Sequence, residues 1–171
     1  MFHTITSLCA LLVATGSLHA ATLTVKSEKD SGPGTLRTAV AQSSPGDTIM
    51  FSPKVQRIRL VSEIAIDRSL LINGQNKVSI SGTNAARIFN INGGDAGIFV
   101  TLKGLTIRDG RSDIEGGAIR CINFNGALAI QYCDFKDNRV EGSGESPSER
   151  SGGAVFNLGG ELKVCKSTFE G

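Results

Sequence analysis

The chain has 171 residues, with 18 Lys and Arg against 16 Asp and Glu, no tryptophan, and a formal net charge of +2. So even a balance argues against nucleic acid or an anionic membrane surface as the main partner, because both reward a clear basic excess. Both histidines, His3 and His19, fall in the first twenty residues and no CxxC pair occurs, so a zinc site lacks ligands and neither a metal nor a cofactor is expected.

Met1 to Ala20 reads as a secretory signal peptide. Its apolar run, Leu8 to Ala14, is shorter than the roughly 20 residues a membrane span needs, and Ala20 supplies a small residue at the cleavage point. Lipoprotein processing at Cys9 is disfavoured by the bulky Leu8 before it. Export is therefore expected, to the extracellular space or the cell surface, with residues 21–171 forming one domain.

Thr22-Leu23-Thr24-Val25 alternates with period two and predicts a first strand. After the turn cluster Asp30 to Gly34, Leu36, Ala39 and Val40 recur at helical spacing behind Thr35 as N-cap. This short helix ends at Ser44-Pro45-Gly46-Asp47 and is expected to cover the first layer of the domain. Short apolar units follow: Ile49–Phe51, Ile58–Leu60, Ile64–Ile66, Leu70–Ile72, Val78–Ile80, Arg87–Ile91 and Phe99–Leu102. Many close on a turn pair, Asn73-Gly74, Ser81-Gly82, Asn92-Gly93 or Asp109-Gly110, read as corners that exploit left-handed backbone. Strands this short suit a chain that turns every few residues rather than a sandwich.

An internal repeat supports that. The segments beginning at Val100, Leu128 and Leu162 align without gaps, their starts 28 and then 34 residues apart. A second block, Gly116-Gly117-Ala118-Ile119, recurs as Gly152-Gly153-Ala154-Val155. The difference in spacing falls in the polar stretch Val140 to Ser151, expected to protrude as a loop. In a parallel coil, equivalent residues stack about 4.8 Å apart. Ile107, Phe135 and Phe169 would then form one inward column, and Leu102, Ile130 and Val164 another. Cys121, Cys133 and Cys165 are expected at buried stacked positions, with their disulfide state open. The phenylalanines are expected mostly in the core, and Tyr132, the only tyrosine, outside it. The fold class that follows is all-β, a right-handed parallel β-helix with one short N-terminal capping helix.

These blocks resemble the polymorphic outer-membrane protein family, bacterial autotransporters carrying many copies of GGA followed by Ile, Leu or Val, and of FxxN. Gly116 to Ile119 and Gly152 to Val155 fit the first motif. Phe135-Lys136-Asp137-Asn138 fits the second, and Phe169-Glu170-Gly171 matches its start. The SGPGTLR and PGD signatures between Leu23 and Phe51 are similar to the opening segment of bacterial right-handed β-helix surface proteins, which share the pectin-lyase fold. The resemblance implies adhesion and surface display, with a host-cell or surface receptor or a polysaccharide as partner. Family members end in a membrane-spanning barrel. Nothing of that kind is present, so the chain reads as a C-terminally truncated passenger or a stand-alone secreted relative, without stable membrane insertion of its own.

The fold class also hosts polysaccharide lyases and hydrolases, whose chemistry needs converging carboxylates or calcium-binding acids. Asp109, Asp113, Glu115, Asp134 and Asp137 are the candidates, with Arg108 or Arg111 as basic partner. Most sit beside turn glycines or alternate outward from apolar residues, where solvated faces are expected. No catalytic, cofactor-binding or metal-binding residue is assigned. The leading expectation is an adhesion or surface-structure module, using one flank of the coil and the Val140–Ser151 loop. The alternatives are a polysaccharide-active enzyme and a non-functional fragment.

Overall fold

A computed structural model of the chain describes residues 20–142 and 152–171. All of the signal-peptide reading but Ala20, and residues 143–151 of the expected loop, lie outside these residues. Apart from one helix the described chain is β, and its sheets are parallel. In order come β1 (Thr22–Val25), α1 (Leu36–Gln42), β2 (Asp47–Phe51), β3 (Arg57–Arg59), β4 (Ile64–Ile66), β5 (Leu70–Ser81), β6 (Phe89–Asn92) and β7 (Phe99–Arg108). Then follow β8 (Arg111–Ser112), β9 (Ile119–Ile122), β10 (Ala127–Gln131), β11 (Asp134–Lys136), β12 (Arg139–Val140), β13 (Val155–Leu158), β14 (Glu161–Cys165) and β15 (Thr168–Glu170).

The largest sheet runs β1-β2-β5-β7-β10-β14, with β3 on β5 and β11 between β7 and β15; a second runs β4-β6-β9-β13, and β8 pairs with β12. Successive repeats visit these sheets in the same order. The two aligned blocks found in the sequence are register partners: Leu102, Ile130 and Val164 lie side by side, as do Ile107, Phe135 and Phe169. Alternation drives this arrangement. In β2, β9 and β10 every second side chain is buried, and the strand pleat sends those side chains to one face. Phe135 and Phe169 stack with ring centroids 4.6 Å apart and planes 8° from parallel. On the last repeat the inward column is left half-open, with Val164 47 % and Phe169 50 % exposed.

At the other end, Thr35 caps α1 by accepting from the Thr38 N–H, and Leu36, Ala39 and Val40 are buried in packing against β1 and β4. The Pro45-Gly46-Asp47 corner is closed by the buried Asp47 carboxylate. It accepts from the Ser44 and Ala21 amides, each at 2.7 Å. Those two amides, Ser44 first, hold its pKa below the ordinary carboxylate value.

Three expectations change. Of the four turn pairs only Asp109-Gly110 supplies a left-handed corner, at Asp109. Elsewhere positive φ falls on neighbouring residues, Gln75, Asn76, Gly104, Tyr132 and Lys166, and on Thr83, Asn84 and Asp137. Gly74 and Gly82 are needed for a different reason: a Cβ on either would run into backbone of a neighbouring repeat, Gly104 O and Asp109 O respectively. Two of the three cysteines are buried as expected, and Cys165 is not. Cys121 lies between Ile91 and Asn157 and is buried, Cys133 is buried elsewhere, and Cys165 is exposed beside Gln131. Phe51, Phe89 and Phe135 are core residues, whereas Phe99 and Phe124 are more than half exposed. Phe99 sits out of phase with Val100 and Leu102, on the outer face of β7.

Both tetrapeptides are used by the backbone. The Asn138 side chain accepts from Gly110 N and donates to Ile107 O, both at 2.9 Å, so it pairs with the previous repeat as a peptide group would. Gly117 donates to Gly153 O at 2.9 Å. A Cβ at Gly117 would press on Arg139 O and Gly153 O, whereas one at Gly153 would find only Asn138 O at 3.7 Å. Gly117→Ala should therefore lower unfolding stability by about 1–3 kcal/mol, the usual cost of overpacking. Gly153→Ala should change it by less than about 0.5 kcal/mol, with urea midpoints as the readout.

Asp47 gives a pH prediction. Its folded pKa lies below the unfolded value of about 3.9, so its contribution is complete above that value and is lost as pH falls through the folded pKa. A melting-temperature series should turn downward below about pH 4. Asp47→Asn should melt lower at neutral pH and show a shallower acid limb.

Candidate functional site

Outward side chains inherit the same register as the core. Along the second half of the large sheet they make two parallel ladders, Arg57-Ser79-Thr106-Asp134-Thr168 and Arg59-Ser81-Arg108-Lys136-Glu170. All of these residues but Thr168 and Glu170 line a groove of about 580 Å3 that also takes in Ile58 and Asp109.

Four cations, Arg57, Arg59, Arg108 and Lys136, line this groove against two carboxylates, Asp109 and Asp134. Some of that charge is committed. Arg108 Nε sits 2.9 Å from Asp109 Oδ2 and its Nη2 lies 3.9 Å from Asp137, while Lys136 Nζ is 3.5 Å from Glu170. Asp109 also accepts from Ser81 Oγ at 2.9 Å, and Asp134 from Thr168 Oγ1 at 2.6 Å. Among the described residues neither Arg57 nor Arg59 forms an ion pair, and both are exposed. Near Arg57, Glu28 accepts from the Gln56 and Arg57 amides at 2.7 and 3.0 Å. Its pKa is lowered chiefly by the Gln56 amide.

Of the acids picked out in the sequence, the fold brings Asp109 and Asp134 into one groove with Arg108, and sets Asp137 at its margin. Asp113, Glu115 and Arg111 do not join them. Asp113 is exposed, Glu115 is held 2.9 Å from Arg120, and Arg111 lies 3.1 Å from Glu141. Among the described residues no three acids, cysteines or histidines converge as a metal site would require. The arrangement offers guanidinium and ammonium donors beside a row of hydroxyls, which suits holding an anionic, hydroxylated ligand. Asp109 already has Ser81 and Arg108 as partners, and Asp134 has Thr168.

Tyr132 projects as expected, 44 % exposed, but it makes a poor platform for a sugar ring. Ammonium groups from the repeats on either side, Lys103 at 6.0 Å and Lys166 at 5.3 Å, lie over its ring. Arg87 is a structural staple that sequence reasoning missed. It donates to Glu63 Oε2 and Ser112 Oγ at 2.6 Å and to the Glu115 and Gly116 carbonyls. Arg57 and Arg59 were also missed as groove members. The available signal was their outward phase around Ile58, shared by Arg108 and Lys136 around Ile107 and Phe135.

No family model, curated protein or solved structure matches this chain.

Burial separates the thiols. Desolvation pushes Cys121 up to about 11 and also raises Cys133, so neither presents the nucleophilic thiolate at neutral pH. Iodoacetamide on the folded chain at pH 8 should alkylate Cys165 and leave Cys121 and Cys133 untouched until denaturant is added. Mass mapping of the labelled peptides is the check, and native labelling of Cys121 would contradict the packing.

Proposed function

We propose that the chain is an exported right-handed parallel β-helix, displayed at a cell surface or secreted, that works as a binding and adhesion module. The observation behind this is a division of labour between inner and outer residues. Gly117, Phe135 and Asn138, the residues that carry the resemblance to polymorphic outer-membrane proteins, are occupied in backbone and core contacts. The outward ladders from Arg57 and Arg59 onward hold charged side chains in a groove along the stacked strands. Such a surface binds through repetition, each repeat adding contacts, as extended repeat proteins do. The parallel register of all three sheets and the short capping helix support the coil.

An enzymatic reading has one observation in its favour: Asp109 and Asp134 share the groove with Arg108. Against it, Asp109 is already paired with Arg108 and Ser81. Glycosidic cleavage needs an acid and a base or nucleophile placed for proton transfer.

Two assays on the same preparation decide between them. Beads coated with residues 21–171 should be retained on an epithelial cell layer above albumin-coated beads, and incubation with polygalacturonate should release no new reducing ends or unsaturated products. Products that disappear in Asp109→Asn or Asp134→Asn would replace adhesion with catalysis, and retention no better than albumin would remove the adhesion role.

A further inference from the structure

We infer that Asp47 receives the N-terminal ammonium of a chain cut between Ala20 and Ala21, so that removal of the leader locks the first repeat. This rests on the export reading, and assigns both the position of the cut and what the new terminus does.

The strand holds Ala21 in place from its carbonyl end. Thr48 N donates to Ala21 O at 2.8 Å, and the register sets Thr22 beside Thr48. Ala21 N is thereby aimed at Asp47 Oδ1, 2.7 Å away, a separation within the range of charge-assisted bonds. The other carboxylate oxygen is taken by Ser44 N, also at 2.7 Å. Asp47 is buried, whereas Ala20 and Ala21 are exposed and Ala20 precedes β1. Hydrolysis adds one water across the Ala20–Ala21 amide. Ala20 leaves with the leader as a carboxylate, and the Ala21 nitrogen takes up a proton to become an ammonium. One of its N–H groups stays on Asp47 and the others are left for water. A peptide hydrogen bond thus becomes an ion pair without any movement of the strand, a local change of charge of the kind that switches use.

Cuts at neighbouring bonds do not achieve this. One residue later, Ala21 O is lost and Thr48 N loses its partner. One residue earlier, Ala21 N remains an amide and the charge sits on Ala20, outside the strand. Arg68 and Asp67 are the charged side chains packed beside this corner. They pair with each other at 2.8 Å, and Arg68 also donates to Ser43 O at 2.7 Å. Neither β1 nor the last turn of α1 carries a charge, so among the described residues no cation competes for Asp47 Oδ1.

The first test is where the exported protein begins. The full chain, expressed with its own leader in an exporting bacterium, should give Ala21 as first residue on N-terminal sequencing. A different first residue overturns the inference and leaves export standing; an uncut chain removes both.

The second test compares residues 21–171 with a free terminus, the same chain acetylated at Ala21, and the free chain with Asp47→Asn. Acetylation restores an amide N–H without the charge and leaves Asp47 intact. The nearby carboxylate raises the folded Ala21 amine above its unfolded value of about 7.7–8.0. Its contribution is complete below that value and is lost as pH rises through the folded pKa. The free chain should therefore lose melting temperature above about pH 8 relative to the acetylated chain and to Asp47→Asn. NMR titration of isotope-labelled Ala21 should find its amine about one pH unit higher in the folded chain than in urea. Coincident alkaline limbs in free and acetylated chains, or an Ala21 amine that titrates alike folded and unfolded, overturns the ion pair with export untouched.

Discussion

Parallel pairing of each repeat with the next is the constraint on which this molecule depends. A strand such as β10 has β7 on one side and β14 on the other, in one unbroken register. Its backbone groups are satisfied by those neighbours, so each residue must suit its counterparts above and below it. A large side chain pointing inward needs another of similar size beside it, hence Ile107, Phe135 and Phe169 in one line. Where two backbones must touch, only glycine fits, as at Gly74 and Gly117. Where a repeat bends and a peptide group loses its partner, a side-chain amide replaces it, as Asn138 and the buried Asn123 do. Asn123 both accepts from Ile98 N and donates to Ile98 O.

The same constraint produces the candidate site. Register that aligns the core also aligns the outward residues, so a pair of arginines in β3 continues as a ladder through Arg108 and Lys136. Every groove residue lies in a strand except Asp109, which turns at positive φ. A surface made this way is long and repetitive. Binding along this surface is the activity we propose for it.

Much of this was legible in the sequence, and the reason is physical. Period-two alternation in Thr22–Val25, the Thr35 cap and the gapless alignment of 100–110 with 128–138 are local signals that stacking preserves, and all three appear in the structure. What was not legible depends on contacts between segments whose spacing is irregular. The turn pairs read as left-handed corners, yet only Asp109 among them has positive φ; Gly74 owes its identity to Gly104 O of the neighbouring repeat, and Gly82 to Ala86 O of its own turn together with Asp109 O. Cys165 aligns in the sequence with Lys103 and Gln131, both outward, so its exposure follows from register rather than from its being a cysteine. The Arg57–Arg59 face forms a site only because β3 pairs with the distal half of β5, and the Arg87 staple unites three separate segments, Glu63, Arg87 and the stretch from Ser112 to Gly116.

Whether the repeats stack in this register in solution can be measured with one pair of substitutions. Thr101 and Ala129 are register partners on the outer faces of β7 and β10, at a strand spacing of about 4.8 Å that a disulfide can bridge. Thr101→Cys with Ala129→Cys should oxidise rapidly and completely in the folded chain, as mapped by mass spectrometry of the linked peptides, while Thr101→Cys with Ile130→Cys, whose second site points into the core, should not. Efficient linkage of the second pair and none of the first would contradict the register, and with it both the stacked core and the groove built on its outer face.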